Sequence, residues 1–214
     1  MLVTGFPAGG FAANCYVVAP AEAAECVIID PGQDAEPGID EILTRHRLKP
    51  IAVLLTHGHI DHVWSVAPVC GARDVPAYIH PADREMLSDP AKGIGMQIAP
   101  GLTFTEPDDV RELRDGEAIS LAGLEFTVSH TPGHTRGSVT FGGEETLFSG
   151  DLLFAGSIGR TDLPGGDDAQ MRDSLAKTLR LPDETTVLPG HGPSTTIGKE
   201  RASNPFLRRT RGHL

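Results

Sequence analysis

Five apolar residues in a row, Ile51-Ala52-Val53-Leu54-Leu55, run directly into Thr56-His57-Gly58-His59-Ile60-Asp61-His62. The first segment reads as an apolar strand. The second sets three imidazoles and a carboxylate in an H-x-H-x-D-H pattern, and these are ligand types that Zn²⁺ and Fe²⁺ accept. A rigid strand can hold the loop that follows it. If the chain stays extended, His57 and His59 point the same way while Asp61 and His62 diverge toward a second position. Gly58 is expected to let the backbone pass close to a metal.

Three further polar points follow apparent strand ends. Ser129-His130-Thr131-Pro132-Gly133-His134-Thr135 carries two histidines. Ser149-Gly150-Asp151 follows Thr146–Phe148, and Pro189-Gly190-His191-Gly192-Pro193 follows Thr186–Leu188. Each is a weak signal alone. Counting one histidine of the 129–135 segment, they supply with the first motif five histidines and two aspartates, enough for two metals, and hydrolytic zinc sites leave a position open for water.

The remaining pattern alternates short strands with few helices. Strands are predicted at Leu2–Phe6, Asn14–Val18, Cys26–Ile29, Ala77–Ile79, Ala118–Leu121, Glu125–Ser129 and Ser138–Phe141. Ile39, Ile42, Leu43 and His46 predict a helix over 37–47, with Pro37 in its first turn. Met171, Leu175 and Leu179 predict another, opened by Asp167-Asp168. Val63, Val66, Ala67 and Cys70 also have helical spacing, but Pro68 demands a late start or a bend. A short helix is expected over 81–87, and the segment 91–107 reads as a long loop. Two sheets with helices on their outer faces accommodate this order.

The length, 214 residues, suits one full-sized domain over 1–214. The net charge of −11 argues against nucleic acid as a partner. No apolar run approaches ~18 residues, which argues against a membrane span. Basic residues gather at the end: Lys199, Arg201, Arg208, Arg209 and Arg211 against Glu200 alone. That stretch reads as a solvated tail or as a positive rim for an anionic substrate. Cys15, Cys26 and Cys70 form no C-x-x-C pair and are expected as small core residues in a reducing, cytoplasmic compartment. No secretory signal is legible at the N-terminus.

The ordered set T-H-G-H-I-D-H, P-G-H-T, S-G-D and P-G-H-G resembles the metallo-β-lactamase-fold hydrolase superfamily. Within it, the chain is similar to short, single-domain glyoxalase II-like proteins of the hydroxyacylglutathione hydrolase type. The likeness runs from Asn14-Cys15-Tyr16 and Ile29-Asp30-Pro31-Gly32 to Thr195-Thr196-Ile197-Gly198 and Asn204-Pro205-Phe206. It implies an α/β fold, a four-layer αββα sandwich of two mixed β-sheets with helices on both outer faces.

By motif, the resemblance implies His57, His59 and His134 on a first metal, Asp61, His62 and His191 on a second, and Asp151 bridging them. The ions would be two divalent metals, zinc first, with iron or manganese as alternatives. Asp30 matches an aspartate that orients the ligand loop, and His130 becomes a supporting or structural histidine. The implied reaction is hydrolysis of a thioester by metal-bound hydroxide that Asp61 orients. The substrate would be a small molecule such as an S-2-hydroxyacyl conjugate of glutathione or another low-molecular-weight thiol.

Arg160, in Gly159-Arg160-Thr161-Asp162, stands near a lysine that holds the glutathione carboxylate in two-domain glyoxalase II. It is a candidate substrate contact, or else a loop partner of Asp162. The same string resembles the persulfide dioxygenases of the superfamily, which use one Fe(II) held by the counterparts of His57, His134 and Asp151. A non-catalytic metal-binding protein of this fold is the reading from another class. No C-terminal helical glutathione-binding domain is expected after His191. The oligomeric state is not legible.

Overall fold

The computed structural model describes residues 1–96 and 101–208. Six strands form the first sheet in sequential order: β1 (Leu2–Ala8), β2 (Ala13–Ala19), β3 (Glu25–Ile29), β4 (Lys49–Leu54), β5 (Ala77–Ile79) and β6 (Val110–Glu112). The first three pair antiparallel, and β3 to β6 pair parallel. The parallel half needs crossovers, supplied by α1 (Glu36–His46), then by α2 (Ile60–Val63) with α3 (Val66–Arg73).

The second sheet is built from β7 (Ala118–Leu121), β8 (Leu124–His130), β9 (Val139–Gly143), β10 (Thr146–Gly150), β13 (Thr186–Pro189) and β14 (Thr195–Thr196). Its pairings are antiparallel except β10 with β13, which the crossover helix α5 (Asp168–Thr178) makes parallel. A small hairpin, β11 (Leu153–Phe154) and β12 (Ser157–Ile158), stands apart. A short α4 (Ala91–Ile94) precedes β6, and α6 (Ile197–Ser203) and α7 (Pro205–Arg208) follow β14.

Period-two alternation sorts the core into layers. Cys15, Val17, Cys26, Ile28, Val53 and Leu55 face α1 and α3, packing with Ile39, Val66, Val69 and Cys70. Their neighbours Tyr16, Val18, Val27, Ile29, Ala52 and Leu54 face the second sheet and meet Phe126, Val128, Phe141 and Phe148. On its far side that sheet turns Leu147 and Val187 toward Met171 and Leu175 of α5, with Ile197 and Leu207. The result is the four-layer αββα sandwich, helices outside two mixed sheets. The unbroken 51–55 run follows from this, because β4 is buried on both faces.

Several expectations change. The helix after the histidines is two pieces: α2 stops at Val63, and α3 starts at Val66 with Pro68 in its first turn, where no amide is needed. Residues 81–87 form a 3-10 helix, capped by the His80 ring accepting from the Ala82 amide. The segment 91–107 contains α4, and its residues 97–100 lie outside the described residues. The strands β6, β11, β12 and β14 are too short or too polar for a sequence pattern to mark.

The basic stretch from Lys199 is no solvated tail over 199–208. Buried Glu200 accepts from Thr195 Oγ1 (2.6 Å), the Gly156 amide (2.8 Å) and Asn204 Nδ2 (2.9 Å), and Arg201 pairs with Asp183 and the Leu181 carbonyl. Ile197 and Leu207 anchor α6 and α7 on the sheet. Arg209 and Arg211 lie outside the described residues, as does the side chain of Arg208. No helix among the described residues is long and apolar enough to cross a membrane.

Candidate metal centre

Four loops at one edge of the sandwich converge. The loop from β4 to α2 carries His57 and His59, and α2 carries Asp61 and His62. The turn after β8 carries His134, the end of β10 carries Asp151, and the end of β13 carries His191. Within His57–His59–His134, His57–His62–Asp151 and Asp61–His62–His191, one ligand atom of each residue lies within 4.8 Å of the others. Asp151 stands between the first and last groups. Its Oδ1 lies 3.3 Å from His62 Nε2, and its Oδ2 lies 3.4 Å from His134 Nε2 and 3.7 Å from His191 Nε2. The structure thus brings all seven expected ligands into one cluster.

Proton bookkeeping shows what the cluster lacks. Thr56 Oγ1 donates to Asp30 Oδ2 at 2.6 Å, because an ionised carboxylate only accepts. It therefore accepts from His57 Nδ1 at 3.0 Å, which leaves His57 Nε2 with a bare lone pair. His62 Nδ1 donates to Asp30 Oδ2 at 2.9 Å, and His134 Nδ1 donates to the Arg160 carbonyl at 2.7 Å. The Nε2 atoms of His62 and His134 face Asp151 at 3.3 and 3.4 Å, and His134 Nε2 also meets His59 Nδ1 at 2.8 Å. Nε2 of His57, His59 and His62, with Asp151 Oδ1, are buried and have no hydrogen-bond partner. Orphaned buried acceptors cost about 1–3 kcal/mol each, and a cation removes that cost. The donor set fits one or two divalent ions.

The electrostatics follow from the same crowding. Burial, with His62, His134, His59 and His191 nearby, holds the His57 pKa well below the usual histidine range. Burial and His134 push His59 down to about 4. Burial opposes charge on His62, but Asp151, Asp61 and Asp30 outweigh it and raise its pKa. For Asp61 and Asp151, burial opposes ionisation, and the surrounding imidazoles, His62 first, overcome it and lower both.

Asp30 sits at φ +50° at the end of β3, a left-handed backbone that aspartate tolerates better than most residues. Its Oδ1 accepts the Thr56 amide (2.8 Å), so one carboxylate fixes His57 through Thr56 and fixes His62 directly. Sequence reasoning missed a second hub. Asp83, fully buried in the 3-10 helix, accepts from the amides of Gly58 (3.0 Å) and Gly137 (2.7 Å) and from Thr135 Oγ1 (2.6 Å). It ties the His57–His59 loop to the His134 loop. No motif marks it, since its partners are remote in sequence.

The expectation for Gly58 needs revision, and His130 and Arg160 take the following places. A Cβ on Gly58 would meet the Asp83 carbonyl at 2.8 Å and Met86 Cβ at 2.9 Å, so this glycine admits the 3-10 helix and not a metal. His130 stacks on His80 (ring centroids 4.2 Å apart, planes 5° apart), and its Nε2 donates to the Arg136 carbonyl. That is a structural role joining β8 to the segment after β5. The Arg160 guanidinium is exposed and forms a two-pronged pair with Asp162 (2.6 and 2.7 Å). What Arg160 offers the centre is its carbonyl, on His134. The loop of His191 is held by Asn14, whose Nδ2 donates to the carbonyls of Pro189 and Gly192 (2.9 Å each), and by Tyr16 Oη on Pro189 (2.8 Å).

Comparison with known proteins agrees with this geometry. The family model described as the metallo-beta-lactamase superfamily matches residues 8–191. An uncharacterized protein of Mycobacterium tuberculosis is 52% identical, over 97% of this chain and 98% of its own. The hydroxyacylglutathione hydrolase GloC of Haemophilus influenzae is 36% identical, over 94% and 95%. Among solved structures, BLEG-1 B3 metallo-beta-lactamase superposes with a TM-score of 0.84 at 40% identity, covering 96% of this chain and 99% of that one. TTHA1623 in a di-iron-bound form superposes with a TM-score of 0.81 at 42% identity, covering 95% and 100%. With its ligand loops at the edge of an αββα sandwich, the chain belongs to the metallo-beta-lactamase superfamily.

Proposed function

We propose that this chain is a binuclear metal-dependent hydrolase of thioesters, acting on S-2-hydroxyacyl conjugates of glutathione or another low-molecular-weight thiol. The observation that carries it is Asp151, placed between two histidine–aspartate groups, with its own Oδ1 and the buried Nε2 atoms of His57 and His62 left without a hydrogen-bond partner. The relative named hydroxyacylglutathione hydrolase supports the thioester class. His57, His59 and His134 would hold one ion, Asp61, His62 and His191 the other, and Asp151 both. Zinc is the first choice and iron or manganese the alternatives. When bound, such ions polarise a carbonyl and bring the pKa of water near ~7.

The chain's own residues do the rest. Asp61, partly exposed at the mouth, is placed to accept a hydrogen bond from the attacking water and so orient it. Water adds across the C–S bond, so that the acid and the free thiol are the products. A cysteine nucleophile is disfavoured: burial pushes Cys15 well above the usual thiol range and Cys26 and Cys70 up to about 12.

The test is elemental analysis of protein purified without added metal or chelator, followed by thiol release from S-lactoylglutathione. About two ions per chain with turnover sustain the reading. About one iron, with oxygen consumed on glutathione persulfide, overturns it in favour of the dioxygenase. The likeness to BLEG-1 favours a second reading, lactam hydrolysis, so a cephalosporin belongs in the same assay.

A further inference from the structure

Three of the clustered histidines are aimed by a hydrogen bond on Nδ1: His57 through Thr56, His62 through Asp30 and His134 through the Arg160 carbonyl. His59 has no such bond, but it is buried, and Gly93 stands too close to it to admit a methyl. His191 has neither restraint. Its side chain is 31% exposed. Its Nε2 lies 3.1 Å from Asp61 Oδ2, and among the described residues its Nδ1 has no hydrogen-bond partner. Asn14 and Tyr16 hold only the backbone of its loop.

Two rings bracket the His191 imidazole. His62, itself in the cluster, meets it edge-on with centroids 5.3 Å apart and planes at 82°. Phe154 meets it from outside the cluster, with centroids 6.1 Å apart and planes at 85°. Edge-to-face rings at such separations attract, because the positive edge of one faces the negative face of the other.

The hairpin β11–β12 explains why Phe154 stands there. Leu153 is buried in the cluster of Met171, Leu175 and Ile197. Successive side chains of a strand point opposite ways, so Phe154 turns away from that cluster. The turn is clamped from behind. Glu200 Oε2 accepts the Gly156 amide at 2.8 Å, and Asn204 Nδ2 donates to the Ser157 carbonyl at 3.0 Å. Both Glu200 and Asn204 are buried. Burying a carboxylate is costly unless its oxygens are hydrogen-bonded, and here one of those bonds goes to the hairpin turn.

We propose that Phe154 is a positioning residue for His191: its ring keeps the imidazole turned toward Asp61, and the buried Glu200–Asn204 pair keeps Phe154 in place. This rests on the two-metal reading above, in which His191 holds the second ion with Asp61 and His62. Phe154 brings no polar atom and moves no proton. Its effect is on how firmly one ligand is aimed.

The test removes the ring in Phe154→Ala and keeps it in Phe154→Tyr. Chelator-stripped protein is titrated with Zn²⁺ against a chromophoric chelator, and elemental analysis gives the ions retained. Phe154→Ala should hold the first ion as the native chain does and the second about three- to tenfold more weakly, the size of one aromatic pair. Phe154→Tyr should restore native affinity. Glu200→Gln, which keeps the size of the clamp and spoils its acceptors, should weaken the same ion. Native affinity for both ions in Phe154→Ala, or equal weakening of both, overturns the proposal.

A second readout needs no metal. Diethylpyrocarbonate acylates exposed imidazoles, and peptide mass spectrometry reads the rate at each histidine of the stripped protein. Phe154→Ala should raise the His191 rate at least threefold and leave that of the remote His46 unchanged. If the native chain holds fewer than two ions, the two-metal reading fails, and the acylation rate still decides the placement of Phe154. An unchanged His191 rate overturns it.

Discussion

Asp30 Oδ2 accepts a hydrogen bond from His62 Nδ1 at 2.9 Å, and both side chains are buried. The bond engages Nδ1 and turns His62 Nε2 toward Asp151 and Asp61. A residue that closes one strand of the first sheet thereby sets the chemistry of a nitrogen 32 positions later.

Asp30→Asn isolates that bond, because asparagine also tolerates the left-handed backbone. Its amide group cannot accept from Thr56 and from His62 at both oxygens. Metal affinity should fall about 10–100-fold, with the ion held by Asp61, His62 and His191 lost first. Chelator competition followed by elemental analysis checks this. Unchanged retention of both ions would sink it.

Asp83→Asn should act on the fold as much as on the centre. In either amide orientation, the new NH₂ faces a donor from Gly58, Thr135 or Gly137. The expected cost is about 2–3 kcal/mol, lowering Tm by roughly 5–10 °C in a chain of this size. Thermal unfolding of the metal-loaded protein measures it.

Gly190→Ala should damage the site and spare the fold. A Cβ there would stand 2.2 Å from Asp151 Oδ1 and 2.7 Å from His62 Cε1, displacing both. Turnover should drop by ~10²-fold or more, with the circular dichroism spectrum retained. Gly93→Ala is the parallel case for His59, whose Cδ2 would lie 2.8 Å from the new methyl.

Acid should destabilise the chelator-stripped protein partly through His59. Its folded pKa, about 4, lies below the ordinary 6.5. Between those values the unfolded chain binds the proton and the folded chain does not. Stability from this group is present above pH 6.5 and is lost as pH falls to 4, by about 3 kcal/mol at most. His59→Asn should therefore gain on the native chain as pH drops through that window. Urea unfolding of both, stripped of metal, gives the difference; one independent of pH would refute the assignment.

Much of the fold was legible because burial on both faces writes itself into consecutive residues. The run before His57 announced β4, and Met171 with Leu175 behind Asp167 announced α5, where the Asp167 side chain does cap two amides. Val110–Glu112 was illegible, since a three-residue edge strand with two exposed positions carries no pattern. The division between α2 and α3 was half legible: Pro68 warned of a break, but only packing put the new start at Val66.

The sequence by itself determined the types and order of the candidate ligands, because metal chemistry restricts which side chains can serve and strand ends restrict where they stand. Tertiary structure decided the rest. It placed Asp151 between the ligand groups, made Asp83 a buried tie between two loops, and gave Arg160 a role through its carbonyl while Asp162 occupies its guanidinium. Those assignments depend on hydrogen bonds between residues far apart in the chain. Such bonds are set by how the sheets and their loops pack, and no local pattern of residues records them.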